Sequence, residues 1–102
     1  TKNAYNDNSL QAIERDFSFF FSKNIKGADI IQTVKKIDKL RIKEVIIFDV
    51  FEGGKLKENT KSIAFKVVLQ PIKSTFIDKE IEKISKSIIK NISTNFDGQL
   101  RQ

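Results

Sequence analysis

The chain has 102 residues, a formal net charge of +6, and neither cysteine nor histidine. Its length is typical of one domain, and its 39% hydrophobic and 31% charged content is that of a globular protein. The missing residue types exclude a disulfide framework, a thiolate metal site, a cysteine nucleophile and the commonest general base. No apolar run approaches the ~18 residues that a membrane helix needs. The positive charge favours a polyanionic partner, although a lysine-rich surface can equally serve solubility alone.

The first half of the chain predicts a strand followed by a helix. Residues 1–9 are polar, and we expect them to be a lead-in within a fragment of a longer protein. Residues 12–22 alternate between two faces, as a strand does. We expect this strand to bury Phe17, Phe19 and Phe21 and to point Ser18 and Phe20 away from the core. From residue 27 to about 38, isoleucine and valine recur at helical spacing, which predicts a helix.

The second half predicts two further strands, a second helix and a short last strand. Residues 42–52 are rich in β-branched and aromatic residues, and a glycine pair ends this strand in a hairpin loop. Residues 62–70 alternate until Pro71, which cannot donate a hydrogen bond to a neighbouring strand. A helix follows from about residue 78, with isoleucines at helical spacing. Residues 99–101 are long enough only for a short strand.

This order of elements predicts an α+β fold of the ferredoxin-like βαββαβ type, a single domain. In that fold a four-stranded antiparallel sheet carries two helices on one face, and right-handed crossovers place the first and third strands at its centre. The other face of the sheet, called the open face below, lies away from the helices and is where we expect function. Alternation assigns to it Ser18, Phe20, Ser62, Ala64, Lys66 and Val68.

The second strand is ambiguous, because it is apolar on both faces. One register turns Ile47, Asp49 and Phe51 to the open face and Ile46, Phe48 and Val50 to the helices. We favour that register because burying a carboxylate costs far more than exposing a phenyl ring. Phe20 and Phe51 are then aromatic platforms among small and polar neighbours, suited to stacking RNA bases at ~1–3 kcal/mol each. The same rings could instead meet another part of a parent protein.

Short motifs along the chain, taken in order, resemble one known family. They are Arg15-Asp16-Phe17, Lys43-Glu44-Val45, Phe48-Asp49-Val50-Phe51-Glu52-Gly53, Lys61-Ser62-Ile63-Ala64-Phe65, Thr75-Phe76 and Leu100-Arg101. Over roughly residues 10–101 the chain is similar to the ferredoxin-fold anticodon-binding domain that ends the β subunit of bacterial phenylalanyl-tRNA synthetases. Each motif alone is weak, and the aromatic hairpin followed by Lys-Ser-x-Ala-Phe carries most of the specificity.

The resemblance implies a non-catalytic module that grips the anticodon loop of tRNA(Phe). It also implies a parent enzyme of two α and two β subunits, whose α subunit carries the chemistry with ATP, Mg²⁺ and phenylalanine. This chain itself then needs no cofactor, metal site or catalytic residue. Positions at the anticodon in relatives match Asp49, Phe51 and Ser62, with Phe51 stacking on a base and the other two hydrogen-bonding nearby. We expect a cytoplasmic location and neither a membrane nor a DNA partner.

The sequence departs from the family pattern at two positions. Relatives commonly carry tyrosine where Phe51 stands and threonine where Ile77 stands, so a hydroxyl contact and a second helix-capping group are missing. Arg15-Asp16 is interpreted as structural. The basic residues credited with RNA contact are Lys66 on the open face and Lys55, Lys57 and Lys61 at the hairpin. The lysines of the predicted helices are interpreted as solvated faces.

Three other functions are compatible with the predicted topology. An acylphosphatase-like enzyme needs a glycine-rich phosphate loop near the first strand, and residues 16–23 contain no glycine. A chaperone for soft metals is excluded by the absence of cysteine, methionine and histidine. A regulatory module that dimerises or binds protein through its open face, with no RNA role, remains the alternative.

Overall fold

The computed structural model describes residues 11–54, 56–71 and 78–101. Within these residues the chain forms β1 (Ile13–Ser22), α1 (Gly27–Ile37), β2 (Ile42–Glu52), β3 (Thr60–Leu69), α2 (Asp78–Phe96) and β4 (Gln99–Leu100). The order and type of these elements match the prediction, with ends displaced by at most two residues. The predicted lead-in over residues 1–9, together with Lys55 and Ile77, lies outside the described residues.

The described strands form one antiparallel sheet in the order β2-β3-β1-β4. The first and third strands are central, as the right-handed crossovers predict. β1 and β3 pair without a break, from Ile13 opposite Leu69 to Ser22 opposite Thr60. Because this register is regular, each residue of β1 and β3 is assigned to a face by its position alone.

The core lies between the sheet and the two helices and is built on stacked phenylalanine rings. Phe65 is fully buried, and its ring centroid lies 5.5 Å from that of Phe17 and 6.0 Å from that of Phe19. Aliphatic side chains of both helices close this core, namely Ile30, Val34, Ile84, Ile88 and Ile92. Each buried side chain of this size stabilises the fold by about 1.5–3 kcal/mol. The helices therefore share one face of the sheet, as the α+β prediction requires.

Strand β2 carries a bulge at Phe48, and on the N-terminal side of that bulge the predicted register is wrong. Ile47 lies opposite Phe65 and faces the helices, whereas Ile46 lies on the open face, the reverse of the prediction. The start of α1 agrees with this placement, since a Cβ added to Gly27 would be 2.7 Å from Cδ1 of Ile47.

Beyond the bulge the predicted register holds. Asp49 and Phe51 lie on the open face, and Val50 lies on the face of the helices. Phe48, predicted to point inward, is the inserted residue and is 54% exposed. The bulge reconciles two demands that strict alternation cannot meet, because Ile47 packs against α1 while the carboxylate of Asp49 stays in solvent.

The turn after α2 determines where β4 can lie. Asp97 adopts φ 53°, the left-handed conformation in which many helices end. A Cβ added to Gly98 would be 2.8 Å from Cγ2 of Ile92 and 2.9 Å from Cε1 of Phe21. A side chain at this position would force the chain away from the core. Glycine therefore lets β4 settle beside β1, with Gln99 opposite Phe20.

The bulge in β2 predicts opposite responses of two adjacent isoleucines. Ile47→Ala removes side-chain volume packed against α1 and is expected to lower the free energy of unfolding by about 2 kcal/mol. Ile46→Ala, at a position 42% exposed on the open face, is expected to change it by about 0.5 kcal/mol or less. Urea unfolding of both variants measures the difference. Equal losses, or a larger loss for Ile46→Ala, would contradict the bulged register.

Candidate nucleic-acid interface

A row of four side chains crosses the open face next to the β2–β3 hairpin. Phe51, Ser62, Phe20 and Gln99 follow one another across the sheet as direct cross-strand partners. Phe51 is 48% exposed, as an aromatic platform must be. A Cβ added to Gly54 would be 3.1 Å from Cζ of Phe51, and the glycine therefore leaves the edge of this ring uncovered.

The next row along the sheet is small and polar. Asp49, Ala64 and Ser18 are direct cross-strand partners on β2, β3 and β1. Asp49 is exposed, while Ala64 and Ser18 are half-buried. This row brings an accessible carboxylate beside Phe51 and leaves the surface over Ala64 shallow. A flat ligand on Phe51 could thus be reached by a hydrogen-bond acceptor from Asp49.

Arg101 completes this part of the open face, although the sequence patterns assigned it no role. Its backbone N–H donates to the carbonyl oxygen of Ser18 at 2.8 Å, which holds the residue beside β1. Its side chain crosses β1, so that Cζ lies 5.5 Å from the centroid of the Phe20 ring. Nη1 then donates to Oγ of Ser62 at 3.1 Å. The guanidinium group is therefore fixed at two points over the centre of the sheet.

The position of Arg101 determines the surroundings of Ser62. Ser62 lies on the open face, as predicted, between the two aromatic platforms. Among the described residues, however, it is the polar residue that is buried, with 4% of its surface exposed. Its hydroxyl accepts the hydrogen bond from Arg101 rather than facing solvent. In this conformation the hydroxyl of Ser62 is occupied by Arg101, and its contact with RNA stays a prediction.

The opposite end of the open face is acidic. Lys66, predicted to contact RNA, is half-buried there, and its Nζ lies 3.3 Å from Oε1 of Glu14. Lys66 also lies opposite Asp16 on β1, and Glu44 on β2 belongs to the following row. The carboxylates near Lys66 offset its attraction for phosphate. The accessible platform and the guanidinium group lie at the hairpin end instead.

The hairpin lysines have different positions. Lys57 is exposed and lines a groove of 460 Å³ beside Phe20, together with Thr60 and Gln99. Lys61 is the second residue of β3, beside the hairpin as expected, and lies opposite Phe21 in the register of the helix face. Lys55 lies outside the described residues. Of the predicted hairpin cations that the structure describes, Lys57 is the one that faces the groove.

The open face therefore combines an exposed ring, a fixed guanidinium group and a carboxylate, and a groove of mixed polarity adjoins it. No set of three or more potential ligands for a metal ion occurs in the described part of the chain. Planar rings and a guanidinium plane on an open sheet are the groups that stack on bases of single-stranded RNA.

Comparison with known proteins agrees with this chemistry. Residues 9–101 match the family described as the ferredoxin-fold anticodon binding domain. The chain belongs to this family. This membership confirms the resemblance that the motifs indicated and agrees with the ferredoxin-like topology.

The chain is also similar to proteins named phenylalanine–tRNA ligase beta subunit. It is 40% identical over 85 residues to that of Zymomonas mobilis, which is 83% of the chain and 11% of the relative. It is 35% identical over 101 residues to that of Brucella abortus, which is 99% of the chain and 13% of the relative. For Nitrobacter winogradskyi the identity is 34% over 93 residues, 91% of the chain and 12% of the relative. The anticodon-binding domain thus spans a small part of these relatives' length.

The contacts of Arg101 with Ser62 and Phe20 predict that removing its side chain lowers the stability of this anticodon-binding domain by a modest, measurable amount. Arg101→Ala removes a partly exposed hydrogen bond and a cation–π contact, so the free energy of unfolding should fall by about 1–2 kcal/mol. Arg15→Ala is the matched control. Arg15 is exposed, its Nη1 donates to the backbone oxygen of Glu14 at 2.9 Å, and its loss should change stability by less than about 0.5 kcal/mol. Equal losses in urea unfolding would show that Arg101 is not fixed over the sheet.

Proposed function

We propose that this chain binds the anticodon loop of tRNA(Phe) through the hairpin end of its open face, as part of a phenylalanine–tRNA ligase β subunit. The observation that carries the proposal is Phe51, an exposed ring beside Asp49 on a sheet face that no described helix covers. The family description and the names of the relatives support an anticodon as the ligand.

The chemistry of the open face favours an unpaired base over a duplex. Stacking on Phe51 requires a base whose flat face is accessible, as in a loop. An ionised carboxylate such as Asp49 only accepts hydrogen bonds, so it favours a base that presents N–H groups at its edge. Ala64 supplies a shallow floor that allows the base to approach the sheet. These groups bind and orient the RNA and perform no chemical step.

Charge directs the RNA to the hairpin end of the face. Phosphates are attracted by Arg101 and by Lys57, which shares the groove with Asp97, whereas Glu14, Asp16 and Glu44 repel them at the other end. Lys66 retains some attraction for phosphate, but its ion pair with Glu14 reduces it. The lysines of α2 lie on the far side of the molecule and contribute to the general field of the protein.

The role of the parent protein is part of the same proposal. We infer that the aminoacylation chemistry, with ATP and Mg²⁺, belongs to an α subunit that assembles with β subunits as two of each, and that this chain contributes recognition alone. That role implies a cytoplasmic location, together with the tRNA. None of the helices in the described ranges is long and apolar enough to cross a membrane.

A protein-interaction role is the second candidate, because the edge strand β2 exposes apolar side chains outside the open-face row. Phe48 and Val50 are 54% and 52% exposed. Sedimentation of the chain over a range of concentrations, with and without an anticodon stem-loop, separates the two functions. Self-association without RNA binding would favour the second candidate.

The stacking platform yields a prediction for RNA affinity. Phe51→Ala is expected to weaken binding of the tRNA(Phe) anticodon stem-loop by ~1–3 kcal/mol, the contribution of one stacked base. The ring carries no charge, so the dependence of affinity on salt concentration should stay the same. Fluorescence anisotropy at two salt concentrations measures both quantities.

Phe48→Ala is the matched control for this substitution, since it removes a similarly exposed phenylalanine from the same strand but outside the cross-strand row. Its affinity should remain that of the native chain. A folded Phe51→Ala variant that binds the stem-loop unchanged would falsify the proposed platform.

The charge distribution predicts which lysine sets the salt dependence. Lys57→Gln should flatten the slope of log affinity against log salt by up to about one unit, because one phosphate contact is lost. Lys66→Gln should flatten it less, since Glu14 already neutralises part of that charge. Lys86→Gln, on α2 and paired with Glu82 at 3.0 Å, is the control and should leave the slope unchanged. A larger change for Lys66 than for Lys57 would place the RNA at the acidic end.

A further inference from the structure

We propose that Arg101 is a second base-stacking platform of the open face, held in place by Ser62. The inference rests on the proposed function, and it adds to that function a residue and a subsite. Phe20, the second predicted platform, is half-buried and is partly covered by the Arg101 guanidinium group.

The guanidinium group of Arg101, and not the Phe20 ring beneath it, is the flat surface on which a base can stack. Cζ of Arg101 lies 5.5 Å from the centroid of Phe20, so one side of the guanidinium group is occupied by the ring. Arg101 itself remains exposed, which leaves its other side to solvent. Bases of single-stranded RNA stack on guanidinium planes as they do on aromatic rings. A base that approaches Phe20 from solvent therefore meets Arg101 first.

Ser62 is the positioning residue of this platform. An arginine side chain has several rotatable bonds, and an unrestrained one loses rotational freedom when it stacks on a ligand. The hydrogen bond from Nη1 to Oγ of Ser62 fixes the guanidinium group before the ligand arrives. This explains why Ser62 is buried, and it assigns to its hydroxyl an indirect role in place of a direct contact with RNA.

The two platforms lie side by side on the sheet. Phe51 lies on β2, while the guanidinium group lies over Phe20 on β1 and reaches Ser62 on β3, the direct neighbour of Phe51. Neighbouring strands are ~4.8 Å apart, so the two platforms are separated by about one to two strand spacings across the sheet. They face outward from the same sheet and do not oppose one another. Two different nucleotides of one loop are therefore the ligands, one on each platform.

The test uses the 102-residue chain and the tRNA(Phe) anticodon stem-loop. Arg101→Lys keeps the charge and removes the plane, so affinity should fall about 5- to 150-fold, the range for one stacked base, with an unchanged salt slope. Arg15→Lys, the same substitution at an exposed arginine on the helix-facing side of β1, should change affinity by less than about twofold. If Arg101→Lys binds like the native chain while Arg101→Ala flattens the slope, Arg101 contacts a phosphate and the proposal is wrong.

Abasic nucleotides placed singly in the loop identify the stacked bases. Arg101→Lys should lose its effect with one abasic position and Phe51→Ala with a different one, because coupled groups are not additive. If Arg101→Lys weakens binding by the same factor for the native loop and for every abasic loop, the second platform is wrong and Phe51 is unaffected. If only Phe51→Ala leaves affinity unchanged, the first platform is wrong. If the chain binds no stem-loop, both are wrong.

Ser62→Ala tests the positioning role separately. It should weaken binding in the native background and have no further effect in Arg101→Lys, since its hydroxyl acts through the guanidinium group. An equal loss in both backgrounds would mean that Ser62 contacts the RNA directly. Thermal unfolding of each variant confirms that the compared chains are folded.

Discussion

The stacking of Phe65 with Phe17 and Phe19 is the constraint on which the open face depends. These rings pack between the central strands and the helices, with Phe65 fully buried. Because side chains alternate along a strand, fixing three rings on one face fixes their neighbours on the other. Phe20, Ser62 and Ala64 reach the open face for that reason. The composition of the open face is thus a geometric consequence of the core.

Regular alternation explains which parts of the fold follow from sequence. From Phe17 to Phe21 in β1 and from Ile63 to Leu69 in β3 every second residue is apolar and buried, and the faces of these stretches were predicted without error. In β2 the residues facing the helices are Ile42, Val45, Ile47 and Val50, whose spacing of three, two and three fits no strict period. The cost of burying the Asp49 carboxylate assigns faces only to the residues on its own side of the bulge. The run of four apolar residues from Val45 to Phe48 was the signal that alternation had failed.

The position of Arg101 could not be derived from the sequence, because it depends on contacts between residues far apart in the chain. Its partners are Ser62, Phe20 and the carbonyl oxygen of Ser18. β4 has two residues, too few for a pattern that assigns its side chains to a face. The face follows only once Gln99 is paired with Phe20, which sets the register of the neighbouring arginine. The family motif Leu100-Arg101 includes this arginine, and the tertiary structure shows which residues it contacts.

The net charge of +6 describes the whole chain and not its open face. At one end of that face Glu14, Asp16 and Glu44 surround Lys66, while the hairpin end carries rings, a carboxylate and one guanidinium group. Long-range attraction to a polyanion comes from the sum of charges and is screened beyond ~10 Å at 0.1 M salt. In the proposed function, once the RNA is within that distance, the acidic end repels its backbone and the hairpin end accepts it. Repulsion at one end of the face would then orient the RNA together with attraction at the other, before the rings hold the bases that the loop leaves unpaired.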